Sequence, residues 1–450
     1  QIPGSISIPA NGYMMVYASG RAQIAGGSEI HTNFKLTQTK FEKIVLADPS
    51  GVILDSLTII PNQLLHSRGR TTNGSATWSL FTTSTPNGPN AGAMLEYATK
   101  PIFNVPAGFY AGAQSVSITT PDPNITIHYT LDGSDPLISS PTYSGPINIS
   151  STKVLRAKCF SSTPNIPASF IETNTYFINV THTVPVVSIC GNSVVNLLNG
   201  SQSNPDGALE YFDRTGIMQT EATGDFNKHG NDSWAYPQRG IDFITRDQYG
   251  YNYALKHQLF ANIPRDKFQR IIFKAGASDN YPFEGTPNSN YAGELGGAHI
   301  RDSYVHALSQ QGNLELEERS YDACILYVNG QYWGVYETRE KVDDSDFLSH
   351  YFGQDEQYRN SPNYIQYLAT WGGTNTEYGM PNAQPNWDAL VNFITTNNMA
   401  IPANFTYVTS QYKWASLVDY FVLNSYIVYE VMLNCITCWW RGLDTTGSKL

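Results

Sequence analysis

Asn329-Gly330-Gln331-Tyr332-Trp333-Gly334-Val335-Tyr336-Glu337-Thr338-Arg339-Glu340-Lys341 is the stretch on which the reading of this chain turns. Asn-Gly is the dipeptide favoured at the centre of a type I′ hairpin turn, where both residues need positive φ. Before it runs Cys324-Ile325-Leu326-Tyr327-Val328, and after it the strand pattern resumes through Tyr332–Glu337, so the two arms read as an antiparallel hairpin. The return arm ends in the densest polar constellation of the sequence: Glu337, Arg339, Glu340 and Lys341, followed by Asp343, Asp344 and Asp346. A period of two puts Glu337 and Arg339 on one face, while Glu340 leads into a turn or a helix start. Alternating signs at this spacing can hold an ion pair that positions a phosphate or a metal. The competing reading is a solvated charge run whose aspartates suit a helix N-terminus, and residue chemistry taken alone favours it.

Around this hairpin, residues 181–450 mix strands with helices, as an α+β domain of catalytic size does. Arg270-Ile271-Ile272-Phe273-Lys274 reads as a strand that ends on a cation, Lys274. Helices are expected over Ile300–Leu308, Trp387–Thr395 and Lys413–Val431; in the last, Leu417, Phe421, Asn424, Val428 and Val431 recur at helical spacing. Asp419, Asn424, Glu430 and Asn434 interrupt that apolar stretch, so a buried core helix is expected there and no membrane span. His299-Ile300-Arg301-Asp302 lacks the Asn that a kinase catalytic loop carries five positions after the Asp, since Ala307 stands there. Gly293-Glu294-Leu295-Gly296-Gly297 is spaced wrongly for a phosphate-cradling loop. Cys159, Cys190, Cys324, Cys435 and Cys438 form no regular framework, and buried thiols are expected rather than a metal or redox site.

The first 180 residues speak a different grammar. Lys43–Ala47, the turn Asp48-Pro49-Ser50-Gly51 and Val52–Leu57 make a hairpin within a strand-and-turn region that extends to residue 98. Ser115–Thr119, Ile125–Thr130 and Val154–Cys159 alternate or run as strands over residues 99–180, with the tight turn Leu131-Asp132-Gly133-Ser134-Asp135-Pro136 between two of them. The fold class expected is multidomain: two β-sandwiches followed by an α+β domain.

Charged residues are 14% of the chain and the net charge is −11. An average soluble protein carries roughly 25% charged residues, and surfaces built instead from Asn, Thr, Ser and Tyr are common in exported proteins. An extracellular or outer-surface location is therefore expected. An acidic chain without clustered Lys and Arg argues against a nucleic-acid partner.

Three resemblances sharpen these expectations. His31-Thr32-Asn33-Phe34-Lys35-Leu36, the Val52–Ser56 strand, Ser67-Arg68-Gly69-Arg70 and Trp78 resemble the lamin tail domain, which implies an immunoglobulin-like sandwich over residues 1–98 that lacks its opening strand. Gly108-Phe109-Tyr110, Tyr129–Pro136, Tyr143-Ser144-Gly145 and Val154–Ala157 resemble the chitobiase C-terminal-like, fibronectin-type module. That resemblance implies a spacer over residues 99–180, with a glycan contact through exposed aromatic faces as the alternative. The quoted hairpin is similar to the spore-coat-protein-H (CotH) kinase family. Pro185–Ile189, His299–Asp302, Asp419–Asn424 and Trp439-Trp440-Arg441-Gly442 support it across residues 181–450.

The CotH resemblance implies an atypical protein-kinase-like fold in a bacterial surface protein that phosphorylates a protein hydroxyl with ATP and Mg²⁺ or Mn²⁺. Carried onto this chain, it points to Glu337, Glu340 and Lys341 as catalytic, Lys274 and Arg339 as nucleotide-facing cations, and Asn434 as a metal contact. Val431 and Ile436 stand where the family has a metal-holding Asp and an Asn, and the second metal Asp is expected after Leu450. Those replacements imply an alternative: a catalytically impaired surface protein whose CotH-like domain serves as a binding or assembly platform.

Overall fold

The computed structural model describes residues 6–19, 24–25, 29–32, 34–250, 252–280, 298–342, 345–354, 365–378, 382–429, 432 and 435–442. The chain divides into two units. One comprises Gln1–Met15, Leu36–His299 and Tyr321–Arg339; the other comprises Val16–Lys35, Ile300–Ser320 and Glu340–Leu450.

The first unit is organised by a closed barrel. In neighbour order its strands are Val186–Cys190, Asp206–Phe212, Met218–His229, Gly240–Thr245, Arg270–Lys274, Gln331–Glu340 and Tyr321–Val328. The ring closes where Val186–Ile189 pairs in parallel with Ile325–Val328. Alternate residues point inward, so Ile189, Leu209, Phe226, Phe243, Phe273 and Tyr336 fill the interior. The quoted hairpin is part of this ring. Asn329 and Gly330 both adopt positive φ, 50° and 77°, as a type I′ turn requires.

Residues 99–180 form a four-stranded sheet of Ile125–Thr130, Lys153–Ser161, Glu172–Ile178 and Gly108–Tyr110, accompanied by two short ladders. Val116, Ile118, Ile149, Leu155, Cys159 and Tyr176 make its own core. The spacer expectation needs correction, because this module shares a second core with the outside of the barrel. Phe109 and Phe177 stack with centroids 4.3 Å apart, and Phe177 meets Phe212 and Tyr327 of the barrel edge-on at 5.1 and 4.8 Å. Aromatic pairs in such geometries add to plain area burial.

Over residues 1–98 the expected immunoglobulin-like sandwich is not assembled among the described residues. Lys43–Ala47 pairs only with Ile53–Thr58, and Ser67–Arg70 only with Trp78–Phe81. All of Lys43–Ala47 is exposed, so this hairpin presents no face buried against a second sheet.

The second unit holds the sheet Thr374–Tyr378, Ile365–Trp371, Cys435–Gly442 and the helices Arg301–Gly312, Ser345–Phe352, Ala383–Thr396, Pro402–Gln411 and Trp414–Tyr426. The expected helices are present, but the last one is neither as long nor as buried as its periodicity suggests. It stops at Tyr426, Val428 takes φ 55°, and Phe421 and Val428 are 39% and 78% exposed; Leu423 and Asn424 are its buried residues. No helix among the described residues is long and apolar enough to cross a membrane. Cys159, Cys190 and Cys324 are buried as expected, whereas Cys438 is exposed, which corrects that expectation at one thiol.

One turn ties the module to the barrel hairpin. Gly133 has φ 78°, and a Cβ built there would lie 2.5 Å from Oδ1 of Asn329, the oxygen that accepts the Gly191 N–H at 3.0 Å. Gly133→Ala therefore combines left-handed strain with a steric collision. It should destabilise the protein by about 1–3 kcal/mol, seen in urea titration as a lower midpoint with an unchanged slope.

Candidate functional site

The barrel alternation that sends Tyr336 inward turns Glu337 and Arg339 outward. In register they oppose Ala323 and Tyr321 of the neighbouring strand. Neither is solvated: Arg339 has 0% exposure and Glu337 7%. The Arg339 guanidinium donates through Nη2 to a Glu337 carboxylate oxygen. Burial works against the cation and brings Arg339 down to about 10, which still leaves it charged at neutral pH. A guanidinium removed from water persists only with a paired anion. The solvated-run reading is thus overturned for these residues, which form a buried ion pair.

Glu340, the next residue along the strand, belongs to the other unit and is also fully buried. It continues the strand rather than entering the turn expected there. Its Oε2 accepts the Ser320 N–H at 3.0 Å, its own N–H donates to the Ser320 carbonyl at 3.1 Å, and the Tyr351 hydroxyl reaches both carboxylate oxygens at 2.9 and 3.1 Å. Tyr351 comes from Ser345–Phe352, whose first turn carries Asp346. Glu340 therefore ties a strand end to a helix.

The structure brings Glu337 and Arg339 together, and Glu340 meets the Ser320 backbone and the Tyr351 hydroxyl. Lys274 ends its strand half-buried, and Lys341 is half-buried just beyond Glu340. Asn434, Glu430, Val431, Asp343 and Asp344 lie outside the described residues; Ile436 falls on the Cys435–Gly442 strand. Among the described residues no group of three or more His, Cys, Asp or Glu side chains is arranged to hold a metal ion.

Residue-by-residue reading missed a second buried charge on the barrel exterior. Asp242 is 5% exposed, with His229 Nδ1 2.8 Å from one oxygen and Arg270 Nη2 3.3 Å from the other. These groups sit on Met218–His229, Gly240–Thr245 and Arg270–Lys274, three successive strands of the ring. The available signal was a carboxylate between two apolar residues of a strand, Ile241-Asp242-Phe243, where a lone charge needs a partner.

Comparison with known proteins agrees with part of this picture. The family model described as CotH kinase protein matches residues 278–429, and that described as chitobiase/beta-hexosaminidase C-terminal domain matches residues 105–169. The chain thus carries a CotH kinase domain and a chitobiase C-terminal-type domain. Neither match reaches residues 1–98, and no curated protein matches the chain. Glu337, Arg339, Glu340 and Lys341 fall inside the CotH match; Lys274 and Asn434 fall outside it.

The buried pair makes a sharp stability test. Arg339→Met leaves the Glu337 carboxylate buried without its cation and should cost about 3–5 kcal/mol in chemical denaturation. Adding Glu337→Leu to that variant should recover most of the loss, because a hydrocarbon pair leaves no charge stranded.

Proposed function

We propose that this chain is a secreted, kinase-like surface protein that transfers phosphate from ATP, with Mg²⁺ or Mn²⁺, to a hydroxyl of a protein partner. The observation that carries the reading is the CotH kinase match, which spans the hairpin and its polar end. A kinase-like protein is what that match suggests; the nucleotide, the ion and the protein acceptor are finer assignments made here. In this reading the Glu337–Arg339 pair fixes the end of the barrel strand, and Lys274 and Lys341 are the cations assigned to face phosphate. Phosphoryl transfer rests chiefly on positioning and charge stabilisation, which a rigid strand can supply. The low share of charged residues supports export.

A specific observation favours a second reading. Arg339 and Glu340 have no solvent access. Polar groups committed to one another support a binding or assembly platform that keeps the kinase-like fold without its chemistry.

Thermal unfolding with and without nucleotide separates the two. Under the kinase reading, ATP with Mg²⁺ or Mn²⁺ at a hundred times its dissociation constant should stabilise the protein by about 2.7 kcal/mol, and label from γ-phosphate-labelled ATP should appear on Ser, Thr or Tyr. Unchanged melting with either ion would remove the kinase reading and leave the platform.

A further inference from the structure

Glu210 lies on the barrel strand Asp206–Phe212, but its side chain points out of the barrel towards the chitobiase-type module and is 2% exposed. One oxygen accepts the Thr175 N–H at 3.1 Å and the other accepts the Thr175 hydroxyl at 2.5 Å. Thr175 belongs to the module's Glu172–Ile178 strand, so this carboxyl bridges the two domains. Thr175 Oγ1 is also 2.7 Å from Ser188 Oγ, and Ser188 is the cross-strand partner of Glu210.

The groups facing Glu210 are mostly acidic. Glu221 is its direct partner on the other neighbouring strand, and Glu172 of the module strand adds to the negative field. Lys100 is paired with Glu172 at 2.5 Å. Cys190 and Tyr176, both buried, complete the titratable surroundings, and Arg156 acts on the Cys190 thiol. Ionising Glu210 would bury an anion beside two carboxylates, whereas protonating it leaves every bond intact. The neutral acid can donate to Thr175 Oγ1, whose hydroxyl then donates to Ser188 Oγ, with the hydroxyl hydrogens turning and no heavy atom moving.

We infer that Glu210 is a proton-operated joint, which clamps the chitobiase-type module to the barrel while its carboxyl is neutral and loosens that seam as it ionises. The sign follows from linkage. Burial, with Glu221 and Glu172, raises Glu210 from 4.5 to about 8. The undocked chain therefore ionises first as pH rises. The stabilisation is complete below the ordinary carboxylate value, is lost progressively through the interval up to the folded value, and is gone above it. The mildly alkaline side of neutrality is where the joint slackens.

Amide hydrogen exchange on the full chain at pH 6, 7, 8 and 9, corrected for the intrinsic chemical rate, tests this. Protection of the Thr175 amide should fall by up to about tenfold per pH unit between pH 6 and 8 and then level off, while the Ile241 and Phe273 amides inside the ring hold steady. Glu210→Gln, which mimics the neutral acid with one donor and one acceptor, should abolish that dependence and keep protection high. The inference is overturned if Thr175 protection is flat in the native chain, or if Glu210→Gln keeps the native pH dependence. Should that variant fail to fold, Glu221→Gln removes the nearest like charge and lowers the Glu210 titration, so the pH at which Thr175 protection levels off must move down; an unmoved levelling point overturns the inference equally.

Discussion

A guanidinium with no solvent access has to be paired, and the pairing of Arg339 with Glu337 constrains the barrel strand that carries both. A strand side-chain period of two leaves no freedom: if Glu337 and Arg339 face outward, Tyr336 must face the interior. A slip of one residue would drive two charges into hydrocarbon and turn a fully buried tyrosine out. Register along Gln331–Glu340 is therefore fixed by charge on one side and by packing on the other. Opposite the step from Leu326 to Tyr327 this strand carries one extra residue, Trp333, as a bulge well before its charged end.

The exterior of the ring does two different jobs. Val186–Cys190, Asp206–Phe212 and Tyr321–Val328 present Val186, Phe212, Ile325 and Tyr327 to the chitobiase-type module, where Phe177 lies between them. Met218–His229, Gly240–Thr245, Arg270–Lys274 and Gln331–Glu340 carry the pairs Asp242 with Arg270 and Glu337 with Arg339, and His229 lies beside Asp242. One side is closed by aromatic packing, the other by ion pairing.

Local chemistry was legible in the sequence and long-range closure was not. Asn329-Gly330 announced its turn because the dihedral demand is met by those two residues alone. The strands and the helix positions after residue 300 were readable for the same reason. The ring itself was hidden: the parallel pairing of Val186–Ile189 with Ile325–Val328 joins segments far apart in sequence, with no local signal for closure. The fate of Glu337, Arg339 and Glu340 was also hidden, since the same letters describe a solvated run and a buried network until their surroundings are known. The Trp414–Tyr426 helix shows the converse error. Apolar periodicity promised burial, yet a period says which residues share a face and not whether anything covers it.

The family match begins at residue 278, after five of the seven barrel strands have been laid down. Its two strands, Tyr321–Val328 and Gln331–Glu340, hydrogen-bond at their outer edges to Val186–Cys190 and Arg270–Lys274, both outside the matched segment. A hairpin cut from that ring would expose two strand edges and one face of hydrocarbon. Whatever chemistry or binding the matched segment performs, the smallest body able to hold its polar end in place includes the earlier barrel strands. Because Phe177 and Thr175 pack on that same ring, the chitobiase-type module is structurally part of this body and not a detachable spacer.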